Sequence, residues 1–356
     1  MFKDVVLDCI YKLNGERSAS AIYHLLTGKR SSQTLQDARI YHLKNYFGIL
    51  KSLNRSKFLE CINQLNNNDF IIVEENNYVI LTERGFSYLK KISNQEQLSQ
   101  FSGLNYERIT NIFNSRLQLF IQTITNVHSN NYSFLAISDD KSVQIWVKKL
   151  FNNKQNEIDK WIYGIYSELF AILSTMSQME ASVFVDRLTG FNKIGLSKMQ
   201  LAKKYKQSYE DIELMLVLII HKMLNQLIYK KQNSEFLIIF FDDLLQESFV
   251  TDSATKTYQL LKQGFGIDEI CKIRKLKEST IQDHLVEIAY VDPFFDTQVF
   301  LPDEEERDIT HIVEKYQTRR LKDINGYLDH KYSYFKIRLA LAAIQHNGGT
   351  KKEENV

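Results

Sequence analysis

The chain has 356 residues, 44% hydrophobic and 25% charged, a balance that excludes a disordered polypeptide and fits two or three globular domains. A formal net charge of +2 excludes a generally basic surface, so any contact with nucleic acid must be local. The longest apolar run, Leu214 to Ile220, is too short to span a bilayer, and MFKDVVLDCIYK lacks the apolar core and cleavage site of a signal peptide. A cytoplasmic protein without membrane contact is therefore expected. Two prolines and pervasive 3.6-residue periodicity predict a mainly α fold, with short β-hairpins interrupting it. Cys9, Cys61 and Cys271 share no C-x-x-C spacing, and the expectation is buried reduced thiols.

The first domain is placed at 1–93. Phe58, Leu59, Ile62 and Leu65 form one helical face, and FIIVEENNYVILT then alternates and turns at Asn76-Asn77. A helix followed by a tight hairpin predicts a winged helix. Arg55 and Lys57, beside the start of that helix, are candidate phosphate contacts. Glu74 and Glu75 put the opposite charge at the hairpin tip, and Tyr78, the sole candidate wedge there, reads better as a cross-strand packing residue. The polar stretch NQEQLSQFSGLN predicts a linker over 94–105.

The middle domain is placed at 106–250. Ile158, Trp161, Ile162, Ile165, Leu169, Ile172, Leu173 and Met176 give a broad apolar helix face. MEASVFVDRLTG, LSKMQLAKKY and SYEDIELMLVLIIHKML read as three helices, and SEFLIIFF as a strand after a KKQN turn. The order resembles a sigma-factor-like helix-turn-helix, but its third helix is too apolar to read a groove. This domain reads as scaffold or docking surface, and His221 as a satisfied core or boundary histidine.

The last domain is placed at 251–346, with a disordered tail over 347–356. In LLKQGFGIDEICKIRKLKESTIQDHL, Gly264 and Gly266 end one helix and Gly266 caps the next from Ile267, with Ile267 and Ile270 inward and Cys271 packing where helices cross. Ser279 and Gln282 have the spacing of a capping box, predicting a further helix from Thr280 with Ile281, Leu285 and Ile288 buried. Lys272, Arg274, Lys275 and Lys277 lie where a helix-turn-helix meets phosphates, and Thr280 and His284 join them as candidate DNA contacts. The same register turns Asp283 and Glu287 outward, against the DNA backbone. LKDINGYLDHKYSYFKIRLALAAI closes the domain, and DEEER at Asp303 reads as a solvated helix start rather than a metal site.

CIYKLNG at Cys9, LLTGKRS at Leu25, NYFGI at Asn45, CINQL at Cys61 and VILTERG at Val79 resemble the RQC winged-helix domain of RecQ-type DNA helicases. GIDEICKIRKLKESTIQDHL and SYFKIRLALA resemble the helicase-associated helix-turn-helix at the C-terminus of such enzymes. Both modules without a motor is an arrangement similar to that of YpbB-like proteins, encoded beside RecQ helicases in Gram-positive bacteria. The four-cysteine zinc subdomain that usually precedes an RQC domain is absent, and TGKR at Thr27 is no phosphate loop. The chain also shows no H-E-x-x-H, G-x-S-x-G or Rossmann glycines, so no catalytic residue, metal or cofactor is expected. The resemblance implies a non-catalytic adaptor in DNA repair or recombination. Its partners would be a RecQ-type DNA helicase and duplex, fork or junction DNA, at the nucleoid when bound. A helix-turn-helix transcriptional regulator is the alternative, and a scaffold without DNA affinity a third reading.

Overall fold

Apolar spacing along the first residues builds α1 (Phe2–Leu13), with Val5, Val6, Ile10 and Leu13 buried and a left-handed Asn14 closing it. This computed structural model describes residues 1–91, 95–229, 234–245, 251–292 and 294–353. After α1 come α2 (Ala19–Thr27), α3 (Ser32–Ile40), a 3-10 turn over Lys44–Tyr46, and α4 (Arg55–Asn67), whose Phe58, Ile62 and Leu65 point inward. Strands β1 (Ile71–Val73) and β2 (Val79–Leu81) pair antiparallel, Ile71 opposite Leu81, and α5 (Glu83–Lys91) follows. Asn76 and Asn77 turn the hairpin with φ of 63° and 61°, a conformation asparagine tolerates better than most residues. A bridge between Ser18 and Tyr78 lays the segment before α2 against the hairpin and completes a winged helix.

The stretch expected as a linker is structured. It forms α6 (Gln95–Ser99) and α7 (Gly103–Tyr106), with Leu98 and Phe101 buried; these two apolar side chains, hidden among polar neighbours, pin it down. Gly103 sits where a Cβ would lie 2.4 Å from the Phe47 carbonyl oxygen and 2.7 Å from that of Asn45. Backbone cannot yield as a side-chain tip does. Gly103→Ala is therefore expected to cost about 1–3 kcal/mol in denaturant unfolding, and an unchanged midpoint would contradict this packing.

The middle of the chain forms α8 (Ile109–His128), α9 (Lys141–Lys154), a 3-10 turn over Gln155–Glu157, α10 (Ile158–Leu173), α11 (Gln178–Arg187), α12 (Lys198–Tyr205) and α13 (Tyr209–Tyr229). These helices enclose a second core, in which Phe120, Trp161 and Phe240 meet edge to face. By length and composition α13 would span a bilayer, but here it is the central packing helix. Leu214 and Leu218 enter the winged-helix core, while Ile212, Ile219 and Met223 enter the second. Burial on two sides explains why this helix is so apolar between Ile212 and Ile220.

SEFLIIFF is not a strand. It makes 3-10 turns over Ile238–Phe240 and Asp242–Leu244, and the KKQN turn lies outside the described residues. The Glu168 carboxylate accepts the amides of Glu235 (2.7 Å), Phe236 (3.0 Å) and Leu237 (2.8 Å), which removes the donors a strand would have used.

His221 joins the two cores. Its Nδ1 accepts the Ser102 amide at 3.0 Å, which places the proton on Nε2, 3.1 Å from Thr110 Oγ1. Burial pushes its pKa down to about 3, from an ordinary value near 6.5. Between those values the unfolded chain binds the proton that the folded chain refuses, so stability falls as pH drops from about 6.5 toward 3. His221→Gln is expected to flatten that part of the stability profile in denaturant titrations; an unaltered profile would assign the loss elsewhere.

The C-terminal module comprises α14 (Asp252–Lys262), α15 (Ile267–Arg274), α16 (Glu278–Val291), α17 (Asp303–Tyr316), α18 (Leu321–Tyr327) and α19 (Tyr334–Glu353). Its apolar residues are continuous with those of the winged helix, so the first and last modules share one core. The helix α19 also carries residues 347–353, expected as part of a disordered tail, because its buried Ile337, Leu339 and Leu341 anchor a helix that continues past the core. Residues 354–356 lie outside the described residues. Cys9 and Cys61 are buried, whereas Cys271 is half-buried against the edge of the core.

Candidate nucleic-acid interface

Helix α4 is the exposed helix of the winged-helix module. Asn54 caps it, accepting the Ser56 amide at 2.9 Å, so the positive end of a 13-residue helix faces outward. Arg55 lies over the Tyr23 ring at 5.7 Å and donates to Ser20 Oγ at 3.2 Å, an exposed guanidinium held in place from below. Two groups missed in the sequence reading stand beside it, His24 and Lys29. Burial, then the neighbouring charges of Lys29 and Arg55, hold the His24 imidazole below its ordinary pKa. The basic GKR at 28–30 was the available signal. Lys57 is different: it pairs with Glu60 at 2.8 Å and faces a cleft of about 750 Å³ whose walls include Glu210, Asp211 and Glu213. Those carboxylates repel a phosphate backbone, which directs it toward Lys29 and Arg55.

In the C-terminal module α15 opens at Ile267, with the Gly266 amide donating to Glu269 at 2.9 Å, and Gly264 turns with a φ of 92°. The next helix starts at Glu278, not Thr280, with Lys277 at the cap position and no side-chain capping bond; Gln282 instead donates to Glu278 at 2.8 Å. Lys272, Lys275 and Lys277 are exposed around this turn. Arg274 is not one of them. Its guanidinium turns back onto α14, donating to the Ser253 carbonyl (2.6 Å), Ser253 Oγ (3.0 Å) and Thr257 Oγ1 (2.5 Å). His284 is buried, 2.9 Å from Thr257 Oγ1, and Thr280 is half-buried.

The carboxylates expected to face a groove also turn out otherwise. Asp283 pairs with Arg338 of α19, and Glu287 is buried, accepting the Thr251 amide (2.6 Å) and hydroxyl (3.0 Å) at the start of α14. Beyond its first turn α16 is enclosed by α14, α19 and α3, with Arg39 of α3 over Tyr290 at 5.8 Å. Gln36 Nε2, Arg39 Nη1 and the Tyr290 hydroxyl are buried there without a protein hydrogen-bond partner. Such a helix cannot lie along a major groove; only its first turn and the lysines before it are presented. Tyr78, the hairpin tyrosine, packs under Arg320 at 5.4 Å, and the exposed hairpin tip retains Glu74 and Glu75. Among the described residues no three His, Cys, Asp or Glu side chains group as a metal site, and Asp303 to Glu306 sit at the start of α17.

A winged helix and a helix-turn-helix built on one core define a protein with two modules of DNA-binding type. The RQC domain family matches residues 4–100, and a helix-turn-helix domain family matches residues 253–341. Across 342 residues, 96% of this chain and 96% of the other, the sequence is 31% identical to Protein YpbB of Bacillus subtilis (strain 168), and the chain belongs to the YpbB family. No solved structure matches it significantly.

Proposed function

We propose that this chain is a non-catalytic adaptor that holds a RecQ-type DNA helicase on DNA during repair or recombination, acting at the nucleoid in the cytoplasm. The observation that supports this reading is the fusion of an RQC domain and a helix-turn-helix domain into one core on a chain without a phosphate loop. Modules of this kind serve a motor, and here the motor is supplied by a partner. Phosphates are held by Lys29 and Arg55 at α4 and by Lys272, Lys275 and Lys277 at the helix-turn-helix.

The helicase docks on the middle domain. Tyr163, Tyr166 and Phe170 of α10 are 73%, 62% and 62% exposed and form one stripe at spacings of three and four. Tyr166 and Phe170 stack with centroids 6.0 Å apart, beside a cleft lined by Ala171, Ile172 and Leu227. Exposed aromatics beside an apolar cleft are what the buried centre of a protein interface uses. A sequence-reading regulator is the weaker account, because it needs the face of α16 that α3 and α19 cover. Co-expression with the RecQ-type helicase of the same organism tests the proposal: the two chains are expected to co-purify in high salt, and separate elution would remove the adaptor reading.

A further inference from the structure

We infer that the turn between α17 and α18 is a binding site for single-stranded DNA, formed by a stacked tyrosine pair and a run of cations against the hairpin of the winged helix. Tyr316 and Tyr327, the last residues of their helices, stack with centroids 3.8 Å apart and planes 4° from parallel, yet remain 43% and 49% exposed. The rings stack on each other rather than meeting edge to face, and close to half of each side chain stays exposed at the surface. Exposed aromatic surface of this kind is what unpaired nucleobases stack on. Two parallel rings flush with the surface offer a flat face on which an unpaired base stacks regardless of its identity.

The charge around the pair matches a strand backbone. KYQTRRLK, residues 315–322, carries four cations and no carboxylate in a chain whose net charge is only +2. Lys315 Nζ lies 5.2 Å from the Tyr316 ring, and Lys322 is exposed. Arg319 is consumed in holding the turn: its amide donates to Glu16 at 3.2 Å and its guanidinium to the Ile40 carbonyl and His42. The Thr318 hydroxyl donates to the same Glu16 at 2.8 Å, so the turn is fixed on the winged helix rather than free. Arg320 lies over Tyr78 of the hairpin and pairs at long range, 3.9 Å, with Asp323. A duplex keeps its bases stacked on each other and cannot use the tyrosine face, so the ligand is a strand with unpaired bases. Glu74 and Glu75 at the hairpin tip keep its phosphates on the Arg320 side.

This inference extends the DNA-binding reading and names a separate site within it, so its test measures both ligands on the full chain. Fluorescence anisotropy with labelled oligo-dT and with a duplex of equal length would compare the wild type with Tyr316→Ala/Tyr327→Ala and Tyr316→Phe/Tyr327→Phe. The alanine pair is expected to lose at least about fivefold in oligo-dT affinity with duplex affinity kept, and the phenylalanine pair to keep both. Wild-type oligo-dT affinity in a folded alanine pair, equal losses in the two variants, or no oligo-dT binding by the wild type would each overturn the site. If the alanine pair fails to fold, photocrosslinking of iodouracil-substituted oligo-dT to the wild type decides: adducts within 315–327 support the site and adducts confined elsewhere overturn it. Loss of duplex binding in the wild type would count against the wider DNA-binding reading alone.

Discussion

Lys29→Ala with Arg55→Ala is expected to weaken duplex binding by about tenfold or more and to reduce the slope of log affinity against log salt by roughly two units, nearly one per lost phosphate contact. The two cations stand beside the positive end of α4, next to His24, whose pKa is held down first by burial and then by these two charges. Anisotropy titrations from low to moderate salt read both quantities. A parallel variant with Lys272, Lys275 and Lys277 replaced should lower the slope independently, since those lysines belong to the other module. Arg274→Ala should behave differently: its bonds to Ser253 and Thr257 tie α15 to α14, so it should lose stability before it loses DNA. Lys57→Ala should change little, because Glu60 already holds that ammonium. An unchanged salt slope in the α4 variant would move the phosphate contacts away from this helix.

The second large effect concerns the partner. Replacing Tyr163, Tyr166 and Phe170 together with serine is expected to abolish co-purification with the helicase, while the circular dichroism spectrum and duplex affinity stay as in the wild type. Interface energy concentrates in a few large anchors, and a single aromatic hot spot is worth about 2 kcal/mol or more, so three exceed what a typical complex can lose. The stripe's exposure makes the substitution tolerable to the fold, since Trp161, Ile165 and Leu169 carry the buried face of α10. Retained association would transfer the docking surface to another part of the chain.

What was legible in the sequence follows from how local its cause was. The hairpin turn could be read because Asn76 and Asn77 announce the left-handed backbone they adopt, and the break before α15 because Gly264 does the same. The apolar character of α13 marked it as a packing helix, though not as one that would feed two cores at once. Features set by distant partners were hidden. A helical wheel turns Glu287 outward, but the Thr251 amide and hydroxyl 36 residues away draw it inside. Arg274 looked like a phosphate ligand because its run of four cations says nothing of Ser253 and Thr257 waiting behind it. SEFLIIFF has strand composition, and only the Glu168 carboxylate on a separate helix explains why its amides turn instead. Lys29 and His24 were missed for the converse reason: they become a site only once α2 and α4 bring them to Arg55.

Joint cores give these observations a mechanical meaning. The winged helix shares apolar packing with the helix-turn-helix, and α13 packs it against the middle domain, so the three regions are joined by common cores rather than strung on linkers. A helicase held on α10 would thereby be held at a fixed distance from DNA gripped at α4. The measurement that tests this most directly is the affinity of the RecQ-type helicase for a labelled fork with and without the chain present, repeated with the Lys29→Ala/Arg55→Ala variant. The account predicts that the wild-type chain tightens helicase binding to the fork and that the variant, still bound to the helicase, does not. Helicase affinity for the fork that is the same with and without the wild-type chain would contradict it.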